Sequence, residues 1–254
     1  MSDAFIHLSE VKKIYRTRGE EFLAVSDVTL DIQAGELVPL VGPSGCGKTT
    51  VLKILAGLHP HDGGTVRIGS DGHTFDPGRD VGMVFQASLL LKWRRIIDNV
   101  LLPAELLGLP VKESRERAKD LLNMVGLDGF EDKYPYELSG GMQQRAAIAR
   151  ALVHDPKLIL MDEPFGALDA LTREKMNLEL LRIWSESKKT IIFVTHSIPE
   201  AVLLGSRCAV LTAGPARMAD TFTIELPYPR TLDMKTHEKF GTYTRRIYKL
   251  LGME

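Results

Sequence analysis

The residues best suited to chemistry lie in Gly42-Pro43-Ser44-Gly45-Cys46-Gly47-Lys48-Thr49-Thr50. The run fits G-x-x-x-x-G-K-[S/T], a pattern whose backbone N–H groups cradle phosphate. Its glycines let the chain turn so that successive N–H groups point into one concavity. Lys48 has the reach and charge for β- and γ-phosphates, and the Thr49 hydroxyl suits Mg²⁺. A helix starting near Gly47 would add the positive end of its dipole. Asp162-Glu163 offers the complementary chemistry. One carboxylate can hold Mg²⁺ through water, and its neighbour can polarise an attacking water as a general base. Gln86 and His196 stand at comparable places, each directly after an apolar run. Taken singly, the carboxylates are also a solvated strand end, Gln86 an ordinary surface glutamine, and His196 a helix-flanking histidine.

These groups need elements that bring them together. Leu37–Val41 is a short apolar strand feeding the glycine loop, and residues 50–57 read as the helix after it, closed by Gly57. Residues 81–86, 157–161, 190–195 and 208–211 are further apolar strands. Continuous apolar runs of this kind suit parallel strands buried on both faces. Between them come helices over 142–153, opened by Ser139-Gly140-Gly141, and over 169–187, with Asp169 as N-cap. Met176, Leu180, Leu181 and Trp184 form the expected buried stripe of the second. Ser197 with Glu200 predicts a capping box for a short helix. Strand–helix alternation from residue 37 onward implies an α/β fold with a mainly parallel sheet. Ligands in such sheets sit at the carboxyl ends of the strands, and Gly42–Thr50, Gln86, Asp162-Glu163 and His196 all follow strands there.

The flanking segments differ. Residues 4–15 and 22–32 alternate apolar and polar, as in a half-buried antiparallel sheet, with a polar loop Arg16–Glu21 between them. Residues 58–80 predict loops with a short strand at Thr65–Ile68. Residues 87–137 turn helical: Ala118, Leu121, Leu122 and Val125 share one face, Gly126 reads as a C-cap, and Pro103, Gly108 and Pro110 mark breaks. After Gly214-Pro215 come one strand candidate, Phe222–Leu226, a Pro-rich turn and a basic amphipathic tail.

Composition sets broad bounds. The 254 residues are 44% hydrophobic and 26% charged, with a net charge of −1. That suits one large domain, or a core domain with a subdomain, and offers no argument for nucleic acid or anionic lipid. No apolar run approaches the ~18 residues of a membrane span. No secretory signal is expected from Met1-Ser2-Asp3-Ala4. Cys46 and Cys208 fit no metal spacing, and a disulfide at Cys46 inside the phosphate loop is hard to reconcile with nucleotide access, so a reducing, cytoplasmic setting is expected.

Leu138-Ser139-Gly140-Gly141-Met142-Gln143-Gln144 resembles the signature motif of ATP-binding cassette (ABC) ATPases. The order phosphate loop, Gln86, signature, Leu158–Glu163, Ala167-Leu168-Asp169, His196 is similar to that of the whole family, over about residues 4–214. The resemblance implies a P-loop NTPase fold with a mainly parallel core sheet, an antiparallel β-subdomain and an inserted helical subdomain. It makes 1–254 a single ABC ATPase domain: 1–86 and 158–214 as core, 87–157 as helical subdomain, 215–254 as C-terminal extension. It implies ATP and Mg²⁺ as cofactors. Tyr15 would stack on adenine with Val25 nearby. Gly42, Pro43, Ser44, Gly45, Cys46, Gly47, Lys48, Thr49 and Thr50 would bind phosphates, and Thr49, Gln86 and Asp162 would hold the metal. Glu163 would be the base and His196 would contact the γ-phosphate, with Lys48 as third catalytic group. Ser139, Gly140, Gly141, Gln143 and Asp169 would reach the ATP bound by the second copy of a homodimer.

Gly126–Asp132, Met161–Arg173 and Pro227-Tyr228-Pro229-Arg230 further resemble the nitrate/sulfonate/taurine-type importer ATPases of bacteria. That likeness implies a peripheral subunit at the cytoplasmic face of the inner membrane. Its partners would be a transmembrane permease and, indirectly, a solute-binding protein, with nucleic acid no partner. The chain departs from the family pattern at Lys92 before Trp93, where proline is common, at Ala87-Ser88, where Glu-Pro is usual, and at Ser197, where Asp is common. An exporter or lipid-transport ATPase, a soluble ABC ATPase acting on nucleic acid or ribosomes, and a module that binds without turnover are the competing readings. The short 87–137 insertion and the neutral charge disfavour the soluble ATPase, and the full set Lys48, Asp162, Glu163 and His196 disfavours the inert module.

Overall fold

A computed structural model describes residues 4–17, 19–69, 74–166 and 168–253. Met1–Asp3, Arg18 in the expected 16–21 loop, residues 70–73 and Ala167 of the Ala167–Asp169 stretch lie outside the described residues. In chain order the elements are β1 (Ile6–Thr17), β2 (Glu20–Ile32), β3 (Leu37–Val41), α1 (Lys48–Leu55), β4 (Gly63–Ile68), α2 (Pro77–Asp80), β5 (Val81–Val84), α3 (Ile96–Leu106), α4 (Val111–Met124), α5 (Gly140–Leu152), β6 (Leu158–Asp162), α6 (Ala170–Ser187), β7 (Thr190–Thr195), α7 (Ile198–Leu204), β8 (Arg207–Leu211), β9 (Ala216–Thr223) and α8 (Glu238–Leu250). They fall into two compact units, Met1–Phe75 with Lys188–Glu254, and Asp76–Ser187.

In the first unit the strand order is β4-β1-β2-β9-β8-β3-β7. The alternating segments form the antiparallel part, with β1 between β2 and β4 and Leu8 opposite both Leu30 and Val66. The continuous apolar runs form the parallel part: β3 lies between β7 and β8, parallel to each. Every residue of β3 and of β7 is buried. The strand expected at Phe222–Leu226 instead runs Ala216–Thr223. Only half of its residues are apolar and half are part-buried, and its antiparallel ladder to β8 and parallel bridge to β2 hold it in place of a continuous apolar face. The capping box at α7 is half formed. Ser197 Oγ accepts from the Glu200 N–H at 3.4 Å. The buried Glu200 carboxylate takes the Thr195 hydroxyl, and Thr195 Oγ1 in turn accepts the Ser197 N–H at 3.0 Å.

In the second unit β5 and β6 pair in parallel, and α3, α4 and α5 pack on one another. Pro103 lies inside α3 and does not end it. Burial of Ile96, Ile97, Val100, Leu101 and Ala104 outweighs the one N–H that proline removes. Gly126 follows α4 at φ +67° as expected of a C-terminal glycine. On α6 the buried stripe is Met176, Asn177, Leu180, Leu181 and Ile183, whereas Trp184 is only half-buried.

The segment after β9 closes the first unit through one arginine. Arg230 is buried, and its guanidinium donates to the carbonyls of Val202, Leu203 and Gly205 at the end of α7 and of Ile224 and Leu226 before it. It also lies 4.1 Å from the centroid of the Tyr228 ring, whose hydroxyl donates to Leu204 O. One side chain thus gathers five carbonyls, of which Ile224 O also accepts the Leu226 N–H at 2.9 Å. Arg230→Ala should lower unfolding stability by about 3 kcal/mol, the scale of stranding buried acceptors, as read by urea denaturation. A loss below about 0.5 kcal/mol, the scale of a neutral surface change, would show that water replaces the arginine without penalty.

Candidate functional site

The phosphate-type loop hangs from the end of β3. Val41 is paired with Thr195, so Gly42 and His196 leave adjacent parallel strands at the same end. Cys46 N–H donates to Pro43 O at 3.3 Å, and Val51 N–H to Gly47 O at 3.0 Å, which starts α1. Gly47 sits at φ +111°, and a Cβ there would lie 2.7 Å from Ala24 O. Only glycine fits. Helix α1 begins without a side-chain cap and without an acidic residue in its first turn. Its positive end is therefore left for an external anion.

Lys48 is buried, and its ammonium donates to Gly42 O and Pro43 O, each at 2.8 Å. Cys46 is buried too, with Sγ 4.0 Å from that ammonium. Pro43, Gly47 and Thr49 are half-buried, while Ser44 and Gly45 face solvent. Thr50 Oγ1 lies 3.4 Å from Tyr15 Oη, which ties the tyrosine to the loop's helix. Tyr15 is half-buried, meets His59 edge-on with centroids 5.8 Å apart, and has the Lys13 ammonium 5.7 Å from its ring centroid. Val25 is fully buried, with Cγ2 3.5 Å from the Cβ position of Gly47, so it backs the loop.

The second unit carries the other expected residues. Val84 of β5 is paired with Met161 of β6, so Gln86 and Asp162-Glu163 leave neighbouring strands at one end. A Cβ on Gly166 would lie 3.4 Å from both Gln86 Nε2 and Glu163 Oε2, so the two side-chain ends converge there. Glu163 holds φ +45°, a strained value for a non-glycine residue that turns the chain sharply after the strand. Asp169 Oδ1 accepts the Thr172 N–H at 3.1 Å. Hydrogen bonding from Thr172 holds the Asp169 carboxyl below the usual carboxylate range.

Ser139 caps α5, its Oγ accepting the Met142 N–H at 3.4 Å, and Gly140 is exposed beside it. A cleft of about 290 Å³ opens here, lined in part by Ser139, Gly141, Arg145, Thr172 and Lys175. Gln143 is half-buried, and its amide donates to Pro135 O at 2.9 Å and Leu138 O at 3.2 Å and accepts from Ser88 Oγ at 3.2 Å, bonds that brace it within its own unit. The sequence reading also missed His59 and Lys13 beside Tyr15. Neither follows a motif, and only the β1 geometry and the loop after α1 bring them to the ring.

The donor set suits a magnesium nucleotide. In the first unit the loop offers N–H groups, one ammonium and the Thr49 hydroxyl, and in the second unit Gln86 and Asp162 offer hard oxygens of the kind Mg²⁺ takes. Among the described residues no three His, Cys, Asp or Glu side chains form a metal cluster. Mg²⁺ needs no such cage, because it keeps waters and takes phosphate oxygens. Gly47→Ala should weaken binding of a fluorescent ATP analogue about tenfold or more, given the ~1–3 kcal/mol strain of a non-glycine residue there. Circular dichroism should be unchanged. Affinity within twofold of the parent would refute the assigned loop geometry.

Comparison with known proteins places these features in a family. Residues 25–166 match the family model described as ABC transporter. An uncharacterized ABC transporter ATP-binding protein of Methanocaldococcus jannaschii is 46% identical over 250 residues, covering 98% of this chain and 92% of that protein. A taurine import ATP-binding protein of Jannaschia sp. is 49% identical over 239 residues, covering 92% and 88%. A solved dimeric ATP-binding cassette in a post-hydrolysis state, bound to ADP and Pi, superposes with a TM-score of 0.74 at 34% identity, covering 87% of this chain and all of that one. Among the described residues no helix is long and apolar enough to cross a membrane. With the phosphate loop, the carboxylate pair after β6 and the Ser139 helix start in place, this chain belongs to the ABC transporter family as an ATP-binding, ATP-hydrolysing cassette.

Proposed function

We propose that the chain is the ATPase subunit of a bacterial ABC importer that takes up a small solute. The observation that carries this reading is the pair of helix starts. The α1 start follows the phosphate loop, and the α5 start follows Ser139, with Gly140 exposed beside it. In a homodimer each ATP is held by Gly42–Thr50 of one copy and Ser139–Gly141 of the other. The import role is supported by the taurine importer relative. The permease and solute-binding protein are separate chains, and the cassette works at the cytoplasmic face of the membrane. Substrate recognition belongs to those partners, since this chain's groups are suited to phosphate.

Each side chain has a stated task. Lys48 and the loop N–H groups neutralise and orient phosphates. Thr49, Gln86 and Asp162 hold Mg²⁺, which supplies Lewis-acid stabilisation of phosphoryl charge when bound. Glu163 orients and deprotonates the attacking water, and His196 holds the γ-phosphate geometry. Asp169 acts across the dimer. The surface for the permease is the stretch Ala87–Arg95. Leu90 is buried, but Trp93 is 75% exposed and Leu89 57% exposed. A hollow of about 350 Å³ opens beside Leu89, lined also by Phe85, Leu102, Pro103 and Leu106. An exposed tryptophan in the same stretch as Leu89, which lines an apolar hollow, suits an anchored helix from a partner.

Glu163→Gln tests the chemistry. It keeps the shape and removes the base, so turnover should fall about 10²-fold or more while ATP binding persists. ATP hydrolysis measured with the permease present decides the matter, and turnover near that of the parent removes Glu163 from the role.

A further inference from the structure

We propose that Arg150 is a positioning residue that locks the segment after Gln86 to the helix beginning at Ser139, so that the two shift as one body. Arg150 stands near the end of α5. Its Nη1 donates to Leu89 O at 2.8 Å and its Nη2 to Ser88 O at 2.7 Å. One planar fork thus grips two successive carbonyls, a geometry that lysine cannot copy. The backbone is bent to allow it: Leu89 holds φ +47°, strained for a branched residue.

The grip does not stand alone. The buried Gln144 donates from Nε2 to Phe85 O at 3.1 Å, and Ser88 Oγ donates to Gln143 Oε1 at 3.2 Å. Positions 143 and 150 are about two helical turns apart and share a face. Residues 85 to 89 are therefore held at three points along α5. Between those points α5 is packed through buried Ala146, Ala147, Ile148 and Ala149, which leaves the helix little room to bend. An ångström-scale displacement of Ser88 and Leu89 has to be passed to the helix start at Ser139–Gly141. The arrangement gives a route by which a load on Ala87–Arg95 reaches the groups assigned to the partner's ATP. That consequence rests on the docking surface proposed above, whereas the mechanical link itself does not.

Hydrogen exchange on the isolated chain tests the link without any partner. In Arg150→Ala the amides of residues 87–91 should exchange roughly tenfold faster or more. The amides of Gly141–Gln143, two turns away, should also accelerate, while those of β5 and β6 hold. Arg150→Lys, which can keep one of the two bonds and the charge, should give a smaller change at both places. It carries the test if the alanine variant fails to fold. Acceleration confined to 87–91, or none at Gly141–Gln143 in either variant, overturns the proposal. In the assembled transporter, Arg150→Lys should co-purify with the permease in normal ratio yet lose transport-linked stimulation of ATPase. Trp93→Ala should instead lose assembly. Retained assembly in Trp93→Ala would sink the docking surface and leave the exchange result standing.

Discussion

Everything in the first unit depends on the register of β3 against β7. Both strands are buried along their full length, so the pairing Val41 with Thr195 is fixed by packing as well as by the ladder. A slip of two residues would carry His196 about 6.6 Å from its level beside Gly42. The second unit repeats the device on a smaller scale, where Val84 opposite Met161 sets Gln86 level with the carboxylate pair. Strand ends therefore do the coarse positioning, and local turns do the fine work.

Those turns are constrained by backbone more than by side-chain contacts. Gly47 can take its left-handed conformation because no Cβ meets Ala24 O. Glu163 takes a similar conformation with a side chain, at some strain, and this throws its carboxylate toward Gly166 and Gln86. Lys48 is oriented by the loop's own backbone, because Gly42 O and Pro43 O hold its ammonium inside the loop. An ordered cation loses little further freedom on binding, which favours tight capture of phosphate.

Much of this was legible in the sequence, for identifiable reasons. The strands β3, β6 and β7 were readable because burial on both faces demands unbroken apolar runs. The loop was readable because its glycines answer a backbone requirement and its lysine an electrostatic one. Other features answered to tertiary context. Strand β9 mixes polar and apolar residues and is held by its neighbours, so apolar pattern placed it too late. Pro103 looks like a breaker, but packing around α3 overrides one missing hydrogen bond. Glu200 matches a capping box by spacing, yet the Thr195 hydroxyl claims its carboxylate. The burial of Val25 behind Gly47 and the bonds of Gln143 to Pro135 and Leu138 are set by three-dimensional neighbours that no local pattern announces. The fork of Arg150 had a faint signal, a cation two turns beyond Gln143 on a helix otherwise lined with alanine.

The central claim is that each ATP is held by the loop of one copy and the Ser139 helix start of the other. Purified mixed dimers of Lys48→Ala and Ser139→Arg chains test it most directly, because mixing places both lesions in one site and leaves the other intact. The account predicts that the mixed dimer regains ATP binding and hydrolysis at one site, while each homodimer stays defective at both. Hydrolysis by the mixed dimer no greater than by either mutant homodimer would contradict it.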